Sequence, residues 1–191
     1  MKELEELILE KGKVLDGNIL KVDSFLNQQI DISMMKKMGI EFANHFRDKN
    51  IDRILTVESS GIAPAVFAAE ELNCKCVFAR KQKSLTLDDN IFHSTVYSFT
   101  KQVMKEIIVS KDYLKENENV LLIDDFLANG QACKGMIALC NQAGANVSGI
   151  GIVIEKSFQD GRKLLKEEGY DVFSLAKIKE FKDGKVIFEE D

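Results

Sequence analysis

Thirteen residues, Val120 to Ala132 (VLLIDDFLANGQA), constrain the fold more than any other stretch of the chain. Val120-Leu121-Leu122-Ile123 is an unbroken apolar run rich in branched side chains. Such a run suits a strand buried on both faces, as in a parallel sheet covered by helices. Asp124 and Asp125 follow where the run ends. Adjacent carboxylates repel each other and cost desolvation energy unless hydroxyls or a cation meet them. Ala128-Asn129-Gly130-Gln131-Ala132 then opens a helical pattern. Its small residues admit a ligand close to the backbone, and the free N–H groups of a helix N-terminus can hold a phosphate.

A ribose 5-phosphate fits this order of strand, carboxylate pair, phosphate loop and helix. The carboxylates would accept the ribose hydroxyls and the loop would take the phosphate. A buried strand, a surface turn and a helix with no ligand would carry the same pattern, so the rest of the chain has to decide.

The surrounding sequence repeats the strand–turn–helix theme. Ile54–Val57 reads as the first central strand, and Glu58-Ser59-Ser60-Gly61 as a turn into a helix over Ile62–Leu72. Pro64, the only proline, is tolerable in that helix because it lies in the first turn. Cys76–Ala79 reads as the next strand, ending in the basic cluster Arg80-Lys81-Gln82-Lys83. Residues 84–94 are polar and aperiodic and read as a mobile loop. Thr95–Thr100 and Glu106–Ser110 are β-prone and could pair as a hairpin. The helix after the signature should run to about Ala143, with Gly144 at its end. Val147–Ile154 reads as another buried strand, from whose C-terminal end Glu155-Lys156-Ser157-Phe158 emerges. Asp160 should begin a short helix ending at Gly169, before β-prone runs at Val172–Ile178 and Val186–Phe188.

The N-terminal part is different. Residues 2–11 pattern as a surface helix. Lys13–Asn27 is irregular, with scattered apolar positions, and reads as a small strand-and-loop cap. Asp31 or Ser33 should then cap a helix whose Met35, Met38, Phe42 and Phe46 form one apolar stripe. Alternating strands and helices argue for an α/β domain with a mainly parallel sheet flanked by helices. In such sheets ligands bind beyond the carboxyl ends of the strands. Glu58–Gly61, Arg80–Lys83, Asp124–Ala132 and Glu155–Phe158 all fall on that edge.

Length and composition set the bounds. At 191 residues, one domain over 1–191 is the natural expectation. A formal net charge of −5 disfavours generic nucleic-acid binding, which needs a basic surface. MKELEELILEKGK does not resemble a secretory leader, and no apolar run approaches the roughly 20 residues of a membrane span. These features point to the cytoplasm. Of four cysteines, Cys133 and Cys140 share an apolar helix face with Met136 and Ile137, and Cys74 and Cys76 share a strand face. No second Cys/His pair completes a zinc set, so core thiols are the simpler reading over metal ligands or a disulfide. His45 and His93 read as surface residues, the latter in the loop.

The signature resembles that of the type I phosphoribosyltransferases, and most closely that of their xanthine-using members. LKVDSFLNQQID (Leu20–Asp31), VESSGIAPA (Val57–Ala65), VFARKQKSLTL (Val77–Leu87), VYSFTKQ (Val96–Gln102) and GIGIVIEKSFQ (Gly149–Gln159) are similar to that family in the same order. The resemblance implies the type I fold with a small N-terminal hood, formed mainly by about 12–30. It also implies transfer of a 5-phosphoribosyl group from phosphoribosyl diphosphate (PRPP), with Mg²⁺ carried by PRPP, to N9 of a purine in purine salvage. Asp124 and Asp125 would then be the catalytic carboxylates at the ribose. Ala128, Asn129, Gly130, Gln131 and Ala132 would hold the 5-phosphate. Ser60 and Gly61 would form the diphosphate loop, and Arg80 and Lys81 the basic pair, in cis or across a homodimer. Leu20, Asn27 and Lys156 would contact the base.

One departure stands out. Many members carry threonines in the phosphate loop, whereas Ala128 and Ala132 stand here where hydroxyls often sit, so backbone donors must do more. Loops of this kind also occur in regulators that bind PRPP without catalysis. Those usually place a basic winged-helix module first, for which this sequence leaves no room. Donation from the Asn27 amide and the Lys156 ammonium would suit the 2-oxo and 6-oxo groups of xanthine. A flipped Asn27 amide would suit the 2-amino group of guanine, which keeps a hypoxanthine–guanine transferase as the alternative. An unpaired buried polar group costs about 1–3 kcal/mol, enough for incomplete discrimination.

Overall fold

Helix α1 (Lys2–Lys11) opens the chain, followed by the short antiparallel strands β1 (Lys13–Leu15) and β2 (Ile19–Lys21) and a π-helical turn over Asp23–Asn27. The structure is a computed structural model and describes residues 1–81, 90–98 and 103–190. Gln82, Lys83 and Phe99–Gln102 lie outside the described residues, as do residues 84–89 of the expected loop. The buried Leu20, Val22, Phe25 and Leu26 anchor the cap to the body, so it is a packed segment rather than a loose arm.

Helix α2 (Ile32–Phe46) starts at Asp31, whose carboxylate accepts from the Met34 N–H at 3.0 Å. Of the two expected caps, Asp31 is the one used. Met35, Met38, Phe42 and Phe46 are fully buried, as the 3.6-residue stripe requires. Strand β3 (Arg53–Val57), helix α3 (Ile62–Leu72) and strand β4 (Lys75–Ala79) follow. Strands β5 (Ile91–Ser98) and β6 (Val103–Ser110) pair antiparallel in a hairpin. Strand β7 (Asn119–Leu127), helix α4 (Gln131–Ala143), strand β8 (Asn146–Lys156), helix α5 (Gly161–Glu167) and strands β9 (Val172–Lys182) and β10 (Lys185–Phe188) complete the chain.

The central sheet runs β10-β9-β8-β7-β3-β4. Every neighbouring pair is parallel except β9 with β10. The four apolar residues of β7 split between its two faces. Leu121 and Ile123 pack with α1, α2 and α3, while Val120 and Leu122 pack with α4, α5 and the β5–β6 hairpin. A strand buried on both sides needs this unbroken apolar run.

Four expectations are corrected. Strand β7 does not stop at Ile123. Its ladder with β8 continues through Asp124↔Ile152, Phe126↔Ile154 and Leu127↔Glu155, so the carboxylate pair is held in the strand itself. Strand β8 likewise extends through Glu155 and Lys156, because β9 still pairs with it there. Residues 91–94 of the expected loop belong to β5, which places His93 in a strand. Cys74 lies before β4 rather than on it, and Cys74 and Cys76 are only partly covered, while Cys133 and Cys140 are buried in α4. Burial pushes Cys76 and Cys140 up to about 12, so both remain thiols.

Candidate active site

The carboxyl ends of β3, β4 and β7 meet at a cavity of about 270 Å³. Ser59, Ser60, Lys81, Asp124, Asp125 and Ala132 are among its walls. One end of the sheet therefore gathers the turn after β3, the residue after β4 and the carboxylates of β7, as the strand order predicts.

Asp124 is 6% exposed, and its Oδ1 accepts from the Asp125 N–H at 3.0 Å. Burial, reinforced by the neighbouring Asp125 carboxylate, pushes the Asp124 carboxyl well above its ordinary range. Asp125 is less covered. Its Oδ1 accepts from the Phe126 N–H at 2.9 Å, and its Oδ2 accepts from Asn27 Nδ2 at 3.3 Å. The same Asn27 nitrogen lies 3.1 Å from Ser60 Oγ. The π-helical turn thus delivers Asn27 to both the β3 turn and the β7 carboxylates, and its buried Oδ1 has no hydrogen-bond partner among the described residues.

The loop after β7 ends at Gly130, whose φ of 76° is a left-handed conformation that favours glycine. Helix α4 starts immediately afterwards with no side-chain cap, so its first-turn N–H groups are available to an anion at the cavity. Gly161, at the start of α5, buttresses this loop from behind. Its N–H donates to the Ala128 carbonyl at 3.0 Å, and a methyl group there would meet that carbonyl and lie 2.9 Å from the Gly130 nitrogen.

The β3 turn contains a cis peptide between Glu58 and Ser59. Glu58 Oε1 accepts from the Lys81 N–H at 2.6 Å. Gly61 stands just before α3 as its N-cap, and a side chain at that position would run into Thr56 Oγ1. Lys81 joins the cavity, but Arg80 does not. Arg80 lines a separate hollow with Phe78 and Tyr113, its Nε 3.9 Å from Glu58 Oε2. Neighbours in a strand-like segment point to opposite sides, which separates the basic pair.

Lys156 donates from Nζ to the Asn18 carbonyl in the β1–β2 turn at 2.8 Å and lies 5.7 Å from the centre of the Phe181 ring. Burial lowers its pKa from the ordinary 10.5. The Leu20 side chain is 7% exposed and packs into the core beneath the cap. Glu155 departs from the expected ligand edge. It is 1% exposed, accepts from Arg162 Nε at 2.7 Å and from the Ser174 hydroxyl, and so serves the packing of β8, β9 and α5.

Three contributors were missed by sequence reasoning. Tyr97 of β5 and Lys105 of β6 also line the cavity, because the hairpin folds over α4. VYSFTKQ contains Tyr97, but only the hairpin pairing places it and Lys105 at the cavity. Gly161 carried no signal beyond its place at a helix start.

The arrangement can hold a sugar by its hydroxyls on Asp124 and Asp125, an anion on the bare end of α4, and a second anionic group between the Ser59–Ser60 turn and Lys81. Comparison with known proteins agrees. The chain is 58% identical over 188 residues to the xanthine phosphoribosyltransferase of Bacillus cereus (strain G9842), spanning 98% of this chain and 95% of the relative. It is 59% identical, with the same coverage, to that of Bacillus cytotoxicus. In three dimensions it resembles the adenine phosphoribosyltransferase of Thermoanaerobacter pseudethanolicus, with a TM-score of 0.75 over 91% of this chain and 99% of that one at 24% identity. A family described as phosphoribosyl transferase domain matches residues 26–187, from the Asn27 turn to the last strand, and the chain belongs to that family.

Proposed function

We propose that this protein transfers the 5-phosphoribosyl group of PRPP to N9 of xanthine, giving XMP and diphosphate in purine salvage. The observation that carries this reading is the extent of the match to xanthine-using relatives, 188 residues that include the cap as well as the PRPP loop. The cap matters because it supplies Asn27 and meets Lys156. We take 1–191 as one domain with the hood at about 12–30, acting as a cytoplasmic homodimer. No helix among the described residues is long and apolar enough to cross a membrane.

Asp124 and Asp125 would accept the ribose 2- and 3-hydroxyls and favour positive charge at C1 as its bond to diphosphate breaks. The first-turn N–H groups at Ala128–Ala132 would fix the 5-phosphate, and Ser60, Gly61 and Lys81 would receive the diphosphate. Mg²⁺, entering as part of the PRPP substrate, would add positive charge at the leaving group. Lys156 would donate to the 6-oxo group, Asn27 would read position 2, and Leu20 would contact the base from the hood. Arg80, which lines a separate hollow, would reach the diphosphate in cis or across the homodimer.

A second reading, a general 6-oxopurine transferase, is favoured by one observation. The buried Asn27 Oδ1 has no hydrogen-bond partner among the described residues, and an unpaired acceptor would suit a 2-amino group. Initial rates with PRPP and Mg²⁺ and with xanthine, guanine or hypoxanthine separate the two. A strong preference for xanthine supports the first reading, and equal use of all three supports the second. Tight PRPP binding without turnover would make the protein a PRPP-binding regulator.

A further inference from the structure

Helix α4 carries more than its bare N-terminus. Ala132 in its first turn lines the cavity, and further along come Gly135 and, two helical turns after that, Gln142 on the same face. The β5–β6 hairpin lies against this face. Gln142 grips the backbone of β5 at His93. Its Oε1 accepts from the His93 N–H at 3.3 Å, and its Nε2 donates to the His93 carbonyl at 2.8 Å. A side-chain amide offers the same donor and acceptor as a peptide group, so Gln142 stands in for a neighbouring strand on that edge of β5. Opposite His93 in the hairpin is Ile108, which exchanges two backbone hydrogen bonds with Arg80, at 2.8 and 2.9 Å. The hairpin is thus fastened along both edges at one level, to α4 on one side and to the residue before Lys81 on the other.

Nearer the cavity the hairpin rests on Gly135. A methyl group there would collide with Val96 and come within 2.9 Å of Ile107 Cδ1. Val96 pairs directly with Lys105, so the two side chains leave the same face of the hairpin, and both line the cavity that also holds Lys81. Neither Gly135 nor Gln142 is among the walls of that cavity. Resting on the phosphoribosyl-transfer reading above, we propose that Gly135 and Gln142 are positioning residues that seat the hairpin so that Lys105 meets the diphosphate beside Lys81. With the seat intact, two ammonium groups flank the leaving group, and the negative charge it gains as its bond to C1 breaks is met by donors already in place. With the seat loosened, Lys105 is still present but no longer held, so the cost falls on the diphosphate and on transfer rather than on the purine. One helix then serves both ends of the donor substrate, the 5-phosphate through its first turn and the leaving group through the hairpin docked along its length.

The test is a double-mutant cycle in the full chain, with magnesium diphosphate as the probe and calorimetry as the measurement. Gln142→Leu keeps the bulk of an exposed side chain and removes both hydrogen bonds to His93. It should weaken magnesium diphosphate roughly threefold to tenfold, and Lys105→Met should weaken it by about tenfold or more. In the Lys105→Met background Gln142→Leu should cost nothing further, because the group it positions is gone. Gly135→Ala should behave as Gln142→Leu does. In turnover Gln142→Leu should lower kcat and leave the KM for xanthine unchanged. Equal losses from Gln142→Leu with and without Lys105 overturn the proposal. So does a Gln142→Leu protein that binds magnesium diphosphate like the parent, or a Lys105→Met protein that does. Absence of turnover with every purine is a different failure. It removes the xanthine reading, and the diphosphate cycle still decides the seat.

Discussion

Lys156 Nζ donates to the Asn18 carbonyl at 2.8 Å, joining the end of β8 to a turn 138 residues earlier in the chain. The lysine proposed to meet the purine is thus also a strut between the sheet and the β1–β2 turn. Lys156→Met keeps the length of the side chain and removes both roles. The KM for the purine should rise about 10- to 100-fold, in line with a hydrogen bond to a charged group of roughly 1.5–3 kcal/mol, with the KM for PRPP unchanged. Amide exchange across β1 and β2 should accelerate. A parallel rise in both KM values would argue against a purine-specific role.

Asp124 gives a pH signature. Its folded pKa is raised above the ordinary 3.8, first by burial and then by Asp125. A carboxyl of this kind stabilises the fold fully below its unfolded pKa, and that contribution is lost as pH rises through the folded value. Asp124→Asn stays neutral at every pH. The variant should therefore melt higher than the parent at neutral pH, with the gap closing towards pH 3.8, while its kcat falls on the order of 100-fold. Thermal melts across that range check the first claim and initial rates the second. A gap that widens on acidification would contradict the assignment.

Gly161→Ala probes the back of the loop between β7 and α4, the proposed phosphate site. The added methyl group has to displace the Ala128 carbonyl and the Gly130 nitrogen, and overpacking of this kind costs about 1–3 kcal/mol. Affinity for PRPP should fall roughly tenfold or more by calorimetry, with purine affinity retained. Unaltered PRPP affinity would show that the loop can move without loss.

Arg162→Ala leaves the Glu155 carboxylate, 1% exposed, with only Ser174 as a side-chain partner. Breaking a buried pair in this way destabilises by about 3–5 kcal/mol. The double variant Arg162→Ala with Glu155→Gln should recover part of that loss in urea unfolding. If the double variant were no more stable than the single one, the stranded charge would not be the cause.

The fold was readable because its signals are local. The split of Val120–Ile123 between two core layers follows from an apolar run with period 2, and α2 from its stripe of Met and Phe. What could not be read depends on distant partners. Asp124 and Asp125 looked like the end of a strand, yet β8 extends the ladder past them. Glu155 looked like a ligand-edge residue until Arg162 and Ser174 claimed it. Arg80 and Lys81 are adjacent in sequence, but only Lys81 reaches the cavity. Tyr97, inside the VYSFTKQ stretch but with no role read from it, and Lys105, which no motif marks, reach the same cavity from the β5–β6 hairpin.

Helix α4 begins with main-chain N–H groups and no capping side chain. A phosphate bound there would be held by atoms that every amino acid except proline carries. Exchanges at Ala128, Asn129, Gln131 or Ala132 for residues of similar bulk would change the lining without removing a donor. The rigid demands fall one layer behind, on Gly130, whose left-handed φ would strain any side chain, and on Gly161, where an added methyl group would press on the facing backbone. A chain built this way could drift at the positions that would line a bound phosphate while the positions that shape them stay fixed. An inhibitor that copied the phosphate would leave the protein few routes to resistance by substitution within the loop.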